Sequence, residues 1–68
     1  MDAITGQTRQ ALIAVLQTHG HRIDLTGAVY IDGEQYGPMI HPRNLVSTFD
    51  LLSESYPKAA ITFLVTTV

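Results

Sequence analysis

The sequence predicts a small α+β protein in which two helices cover one face of a three-stranded, mainly antiparallel sheet. Three observations indicate this fold class. Apolar residues recur at helical spacing in two segments, near residues 2–20 and 41–57. Residues 22–31 alternate between two faces, and residues 58–68 are rich in β-branched side chains. The predicted order is therefore helix, strand, strand, helix, strand, folded as a two-layer sandwich.

An apolar stripe marks the first predicted helix. It consists of Ile4, Thr8, Ala11, Leu12, Val15, Leu16 and His19. We expect Asp2 or Thr5 to cap the start of this helix by accepting an early backbone N–H, and Gly20 to close its last turn. Gly6 weakens the first turn by up to ~1 kcal/mol relative to alanine, so the pattern also fits a start near Gln7.

The next segment predicts a β-hairpin. One face of its first strand carries Ile23, Leu25, Gly27, Val29 and Ile31. The strand ends at Asp32-Gly33, a pair typical of a type I′ turn, which needs positive φ at both central positions. This turn predicts a register in which Ile31 faces Glu34 and Gly27 faces Pro38. Because proline has no N–H, we expect the second strand to be an edge strand, or to be kinked or ended near Gly37-Pro38.

A second apolar stripe predicts the second helix. Its members are Leu45, Phe49, Leu52 and Tyr56, with Val46 beside them. Pro42 suits the first helical turn, where its missing N–H is not needed. His41 or Asn44 is the expected cap, and Pro57 stops the helix because the residue before a proline avoids helical geometry.

The last strand is apolar and uncharged on both faces. One face carries Ile61, Phe63 and Val65, and the other carries Thr62, Leu64, Thr66 and Val68. Such a strand invites aggregation when it is exposed on an edge. We therefore expect it to lie centrally in its own sheet or against a second copy, and a dimer through the outer sheet face is compatible with both.

The predicted sheet order follows from pairing the last strand beside the first strand and antiparallel to it, which gives the spatial order 2-1-3. The alternative places the last strand parallel to the second strand through a right-handed crossover.

Composition suggests that this chain works in contact with other macromolecules. Its 68 residues predict one domain, residues 1–68, and only 15% are charged, against about 25% in typical soluble domains. A small chain with so few charges leaves apolar surface for a partner or a second copy to cover. There is no cysteine, which excludes disulfides and thiolate zinc sites.

The charge balance argues against nucleic-acid and membrane partners. The net charge is −2, and the four basic residues are scattered, so no cationic footprint for phosphates is present. No run of apolar residues is long enough to span a bilayer. The N-terminal segment is polar and lacks the basic start of a signal peptide, so the expected location is cytoplasmic.

Histidines offer a metal site only in a weak pattern. His19, His21 and His41 are imidazole ligands in principle, and Asp24 adds a carboxylate. A helix-end position for His19 and a strand start for His21 explain these residues better. We therefore predict no metal and no cofactor.

No catalytic constellation stands out, so we predict that the protein is not an enzyme. Ser47 and Ser53 lie at ordinary solvent-facing helical positions, and no strained nucleophile turn places a serine beside His41. Asp50 and Glu54 are one helical turn apart and are interpreted as a solvated face.

Five residues are the candidates for binding. Tyr36 and Arg43 have spare capacity beyond their structural roles, and His41 lies beside Arg43. An anion site at Arg43 and the following amides competes with a plain strand-to-helix connection. Leu64 and Val68 are candidates because the outer face of the last strand is a possible interface.

The leading hypothesis is a non-enzymatic, homo-oligomeric module that binds another protein. Its order of hairpin, helix and strand resembles that of several small phage-encoded proteins that bind and block host machinery. The resemblance extends to element order and includes no shared motif, and it implies an inhibitor or modulator of a host protein. The alternative hypothesis is a small-ligand or anion-binding protein with a site near His41 and Arg43.

Overall fold

The computed structural model describes residues 2–19 and 25–67, and within these it describes all side chains except those of residues 2 and 67. Its elements are β1 (Asp2–Gly6), α1 (Arg9–His19), β2 (Thr26–Ile31), β3 (Glu34–Gln35), α2 (Pro42–Ser55) and β4 (Ile61–Thr67). The strands form one antiparallel sheet in the order β1-β4-β2-β3. The predicted α+β class, with two helices and an antiparallel sheet, is confirmed. The three-stranded sheet and the element order that began with a helix are wrong, because a fourth strand comes first.

The N-terminal segment is a strand where the sequence predicted the first helical turns. β1 pairs antiparallel with β4, and Ile4 lies opposite Val65. Ala3 and Thr5 are exposed, while Ile4 between them is half-buried, as expected for alternating faces. Ile4 fits both a helical stripe and a two-residue alternation. The pairing with β4, which is remote in sequence, decides between them.

The cap of α1 also differs from the prediction. Thr8 Oγ1 accepts a hydrogen bond from the backbone N–H of Ala11 at 3.1 Å, so Thr8 takes the capping role assigned to Asp2 or Thr5. Both of those residues lie in β1. Gly20, the predicted end of the helix, lies outside the described residues.

β4 occupies the centre of the sheet, between β1 and β2 and antiparallel to both. Its predicted antiparallel pairing beside the first hairpin strand is confirmed. In the predicted order 2-1-3 the other edge of this strand would have stayed open, and β1 fills it. β1 and β2 both run antiparallel to β4, so they run parallel to each other. β4 therefore lies between the two strands of the β1-α1-β2 unit. β2 in turn lies between β3 and β4, so strands from the two halves of the chain alternate in the sheet.

The hairpin turn has the predicted geometry. Asp32 and Gly33 have φ values of 49° and 88°, both positive as a type I′ turn requires, and Ile31 pairs with Glu34. Asp32 also donates its backbone N–H to the carbonyl of Ala60 at 2.9 Å, and its Oδ1 accepts from the N–H of Ala60 at 2.9 Å. The turn is therefore tied to the residue that precedes β4.

The second hairpin strand ends early, as predicted, before Gly37 and Pro38. The register beyond that point is not the predicted one, because Gly27 pairs with Ile40 instead of Pro38. Gly37 has a φ of 69°, a left-handed value, and Pro38 has no N–H to donate, so the chain leaves the ladder. The chain pairs with β2 again at Ile40, which is two residues beyond Pro38, the predicted partner of Gly27.

α2 begins and ends where the sequence predicted. His41 is the N-cap, Pro42 occupies the first helical position, and the helix ends before Pro57. Tyr56, predicted to belong to the apolar stripe, is 48% exposed because it follows the last helical residue.

The core lies between the helices and one face of the sheet, so both helices cover the same face as predicted. Its buried members are Leu12 of α1, Leu45, Phe49 and Leu52 of α2, Leu25 just before β2, Val29 of β2, and Ile61, Phe63 and Val65 of β4. Within residues 2–19 and 25–67, no helix combines the length and apolar character needed to cross a bilayer.

Candidate functional site

A groove lies between the loop of residues 36–41 and the first turns of α2. We call it the 36–48 groove. Its volume is about 490 Å³. It is lined by Tyr36, Gly37, Pro38, Met39, Ile40, His41, Asn44, Ser47 and Thr48.

Hydrogen bonds fix the loop at both ends. The N–H of Tyr36 donates to the carbonyl of Val29 at 2.8 Å, which continues the hairpin ladder by one bond. Further along, Ile40 and Gly27 exchange two backbone hydrogen bonds, at 2.6 and 3.1 Å. Between these anchors Gly37 has a left-handed φ of 69°. The loop is therefore held at both ends, and its residues 36–39 are exposed.

Two large apolar side chains of this loop are exposed. Tyr36 is 46% exposed and Met39 is 49% exposed, and both line the groove. The side-chain amide of Gln35 donates to the carbonyl of Gly37 at 3.0 Å and lies 3.9 Å from the Met39 sulfur. This amide braces the loop from the strand side, so Tyr36 and Met39 are presented on an ordered backbone.

His41 has a structural role that limits its chemistry. Its Nδ1 accepts a hydrogen bond from the backbone N–H of Arg43 at 3.2 Å and so caps α2. The proton of a neutral ring is then on Nε2, and that N–H is the donor a ligand can use. Arg43 is exposed, but it does not line the groove. Of the three predicted binding residues here, Tyr36 and His41 share the groove and Arg43 lies beside it.

The serines of α2 donate to the helix backbone. Ser47 Oγ donates to the carbonyl of Asn44 at 3.1 Å, and Ser53 Oγ donates to the carbonyl of Phe49 at 2.8 Å. Neither bond is to an imidazole, which is the partner that an activated serine nucleophile needs.

Asp50 is part of an ion pair that the sequence did not indicate. Arg9 Nε lies 3.1 and 3.0 Å from the two carboxylate oxygens of Asp50, which joins α1 to α2. Both side chains are well exposed, at 59% and 38%, so the pair is worth about 0–1 kcal/mol. No periodic signal links two residues on different helices, so sequence reasoning had no means of finding this pair.

Leu64 lies on the opposite side of the molecule from the groove. It is half-buried on the outer face of β4, the face turned away from the helices. The described side chains of that face are all uncharged: Ala3, Thr5, Thr26, Ala28, Tyr30, Gln35, Thr62, Leu64 and Thr66. Val68, the other predicted residue of this face, lies outside the described residues.

The histidines were considered as metal ligands, and the structure describes two of them, His19 and His41. Nowhere in residues 2–19 and 25–67 do three His, Cys, Asp or Glu side chains gather closely enough to hold an ion. His21 and Asp24 of the weak histidine pattern lie outside those residues.

Met39 is a groove residue that sequence reasoning missed. The predicted register, carried past Gly37-Pro38, would have kept it on the ladder, although the strand was expected to kink or end there. The departure of the chain from the ladder at Gly37 moves it into the groove. The Gly37-Pro38 pair indicated where the strand ends, but it did not indicate the path of the loop that follows.

Comparison of the chain with protein-family models, with curated proteins and with solved structures gives no match in any of the three.

Proposed function

We propose that this chain is a non-enzymatic protein–protein interaction module that binds a segment of another protein in the 36–48 groove. The observation that carries the proposal is the exposure of Tyr36 and Met39, which both line the groove, on a loop that hydrogen bonds hold at both ends. Such binding makes the chain an inhibitor or modulator of the protein it contacts, in line with the resemblance of its hairpin, helix and strand order to small phage-encoded proteins. We also propose that the module is homo-oligomeric.

Binding surfaces gain much of their affinity from a few buried anchor residues. Tyrosine and methionine are enriched at interfaces, where one buried aromatic anchor often contributes more than many peripheral contacts. Tyr36 offers a large apolar ring with a polar tip, and Met39 adapts to the shape of its neighbour. Because hydrogen bonds already order the loop, little conformational entropy is lost when a partner binds.

The lining of the groove indicates the chemistry of the segment it fits. None of the nine described residues that line it is charged. Asn44, Ser47 and Thr48 supply amide and hydroxyl groups that match the N–H and C=O groups of a peptide backbone. The fitting segment is therefore apolar and neutral where it enters the groove, with room for an acidic residue near the exposed Arg43.

Tyr36→Ala is expected to weaken binding of the partner by about tenfold or more, because truncating an aromatic anchor commonly costs about 2 kcal/mol or more. Candidate partners are captured from the cells in which the protein is made. Each is then purified, and its affinity is measured by isothermal titration calorimetry. Tyr56→Ala is the matched control, since Tyr56 is 48% exposed and does not line the groove.

The two variants can support or contradict the groove as the binding surface. Loss of affinity in Tyr36→Ala with retention in Tyr56→Ala supports it. Equal affinity of a purified partner for the parent and for Tyr36→Ala contradicts it. So do partner-induced changes in amide NMR shifts confined to the outer sheet face.

A small-ligand or anion-binding function is the second candidate, and the size of the groove favours it. Its volume of about 490 Å³ falls within the ~300–1,000 Å³ typical of ligand pockets. The Nε2–H of His41 supplies a donor in the groove, and the exposed Arg43, which does not line the groove, follows two residues later in α2.

If this function holds, inorganic phosphate or a nucleotide raises the melting temperature of the parent chain, because a ligand that binds the folded state stabilises it. Arg43→Ala is expected to lose that response, and Lys58→Ala, which removes another exposed cation, is expected to keep it. A flat response to a panel of phosphates and nucleotides eliminates the second candidate.

A further inference from the structure

We infer that two copies of this chain associate through the free edge of β1, which pairs antiparallel with the β1 of the second copy. The sheets then join into one sheet of eight strands, four from each copy. This inference rests on the homo-oligomeric part of the proposed function and assigns it to one interface. The interface is separate from the 36–48 groove.

The two edges of the sheet differ in how they resist strand addition. β3, at one edge, is two residues long, includes the charged Glu34 and ends before Gly37 and Pro38. Short length, charge and proline are the features by which natural edge strands discourage pairing. β1, at the other edge, is five residues long and forms a regular ladder with β4. Apart from Asp2 at its start, β1 carries no charge and no proline, and no described strand pairs with its outer side.

The helix beside this edge is also neutral on the relevant side. Between residues 3 and 18 the only charged residue is Arg9, which is drawn toward α2 by its ion pair with Asp50. At about 100° per residue, the flank of α1 opposite Arg9 carries Ala11, which is half-buried against the core, and the exposed Ala14 and Thr18. Between residues 3 and 18 two copies can therefore approach without burying a charge, and in an antiparallel pair centred on residues 3–6 the two Asp2 residues lie at opposite ends of the pair.

The position of α1 over the sheet selects a second copy as the occupant. A Cβ placed on Gly6 of β1 would lie 3.6 Å from the Cβ of Ala11, so the start of α1 lies over β1, at this edge of the sheet. Pairing two β1 strands, whose axes are then about 4.8 Å apart, therefore brings the two α1 helices together on the same face of the joined sheet. A second copy thus supplies both a strand for the edge and a helix for the flank. An extended peptide supplies the strand alone.

The expected strength of the dimer follows from the size of this contact. One strand pair and one helix flank form an interface at the small end of specific interfaces, for which a dissociation constant on the order of micromolar is expected. Sedimentation velocity across the micromolar range should therefore show the parent passing from its monomer mass of 7.5 kDa to twice that mass.

Thr5→Lys tests the edge directly. Thr5 is exposed on the outer face of β1, so lysine fits the folded chain but brings two ammonium groups close together across the β1 pair. Dimerisation is expected to weaken about tenfold or more, while the circular dichroism spectrum is unchanged. Gln35→Lys is the matched control, with the same charge change at an exposed position on the opposite edge strand, and it should dimerise like the parent.

A second measurement keeps the inference testable should the lysine variant fold poorly. Because the chain has no cysteine, Thr18→Cys introduces a single thiol on the flank of α1. A short bismaleimide should link two such chains into a covalent dimer. It should not link Ser47→Cys chains, whose thiol lies on α2 in the groove.

These experiments test the β1 interface separately from self-association through any other surface. A parent chain that stays monomeric at every concentration measured contradicts both the β1 interface and self-association. A dimer that survives Thr5→Lys but is disrupted by Thr62→Lys, on the outer face of β4, retains self-association and overturns the β1 interface. The inference is supported if dimerisation is weakened in Thr5→Lys but not in Gln35→Lys or Thr62→Lys, and if Thr18→Cys chains are cross-linked. Binding in the groove is tested separately by Tyr36→Ala.

Discussion

Phe63→Ala is expected to lower the free energy of unfolding by about 3–5 kcal/mol, the range found when a buried aromatic ring is removed from a core. Phe63 is fully buried in the central strand. Its ring meets the ring of Phe49 edge to face, with centroids 6.1 Å apart, and it also lies against the backbone of Gly6. Truncation therefore opens a cavity where β1, β4 and α2 meet.

The effect should be large relative to the total stability of so small a protein. At about 0.05–0.15 kcal/mol per residue, a chain of 68 residues has roughly 3–10 kcal/mol in all. Urea denaturation followed by circular dichroism should show that Phe63→Ala begins to unfold at or near zero urea, so that little or none of the folded baseline remains. Phe63→Leu should be less affected, and Leu51→Ala, at a position that is 56% exposed, should resemble the parent. A Phe63→Ala variant as stable as the parent would show that the core is not packed as described.

Gly27→Ala is expected to cost about 1–3 kcal/mol, because the sheet has no room for one more carbon at this position. An added Cβ would overlap Leu45 Cδ1 and would lie 2.9 Å from the backbone oxygen of Leu64. The Leu45 side chain is fully buried and has little freedom to move. The carbonyl of Leu64 belongs to the central strand and cannot shift without displacing its neighbours.

A double-mutant cycle checks the cause of this loss. If contact with Leu45 is responsible, Gly27→Ala should cost less when it is combined with Leu45→Val than when it is made alone. Denaturation midpoints of the parent, the two single variants and the double variant give the coupling energy between positions 27 and 45. Additive effects would show that the loss comes from the strand backbone instead.

Much of this fold follows from local chemistry in the sequence. The Asp32-Gly33 pair fixes a type I′ turn because both residues take positive φ readily, and Pro42 and Pro57 delimit α2 through their missing N–H groups. Each of these signals acts within a few residues of itself, so a single sequence contains it in full.

The missed elements depend on partners remote in sequence. Ile4 satisfies a helical stripe as well as a strand alternation, and only the free edge of β4 makes the strand the better choice. The same limit applies to the site. Tyr36 and His41 were identified from residue type, but their meeting in one groove with Met39 depends on where the loop goes after Gly37.

The place of β4 has a consequence for how the protein is made. During synthesis β1 leaves the ribosome early, but its partner strand follows 55 residues after Gly6, at Ile61. At about 5–20 residues per second, β1 waits roughly 3–11 s for its partner, and β2 also lacks its main neighbour until then. The nascent chain can therefore complete its hairpin and its helices early, but the sheet closes in one late step, when β4 inserts between two strands that were made before it.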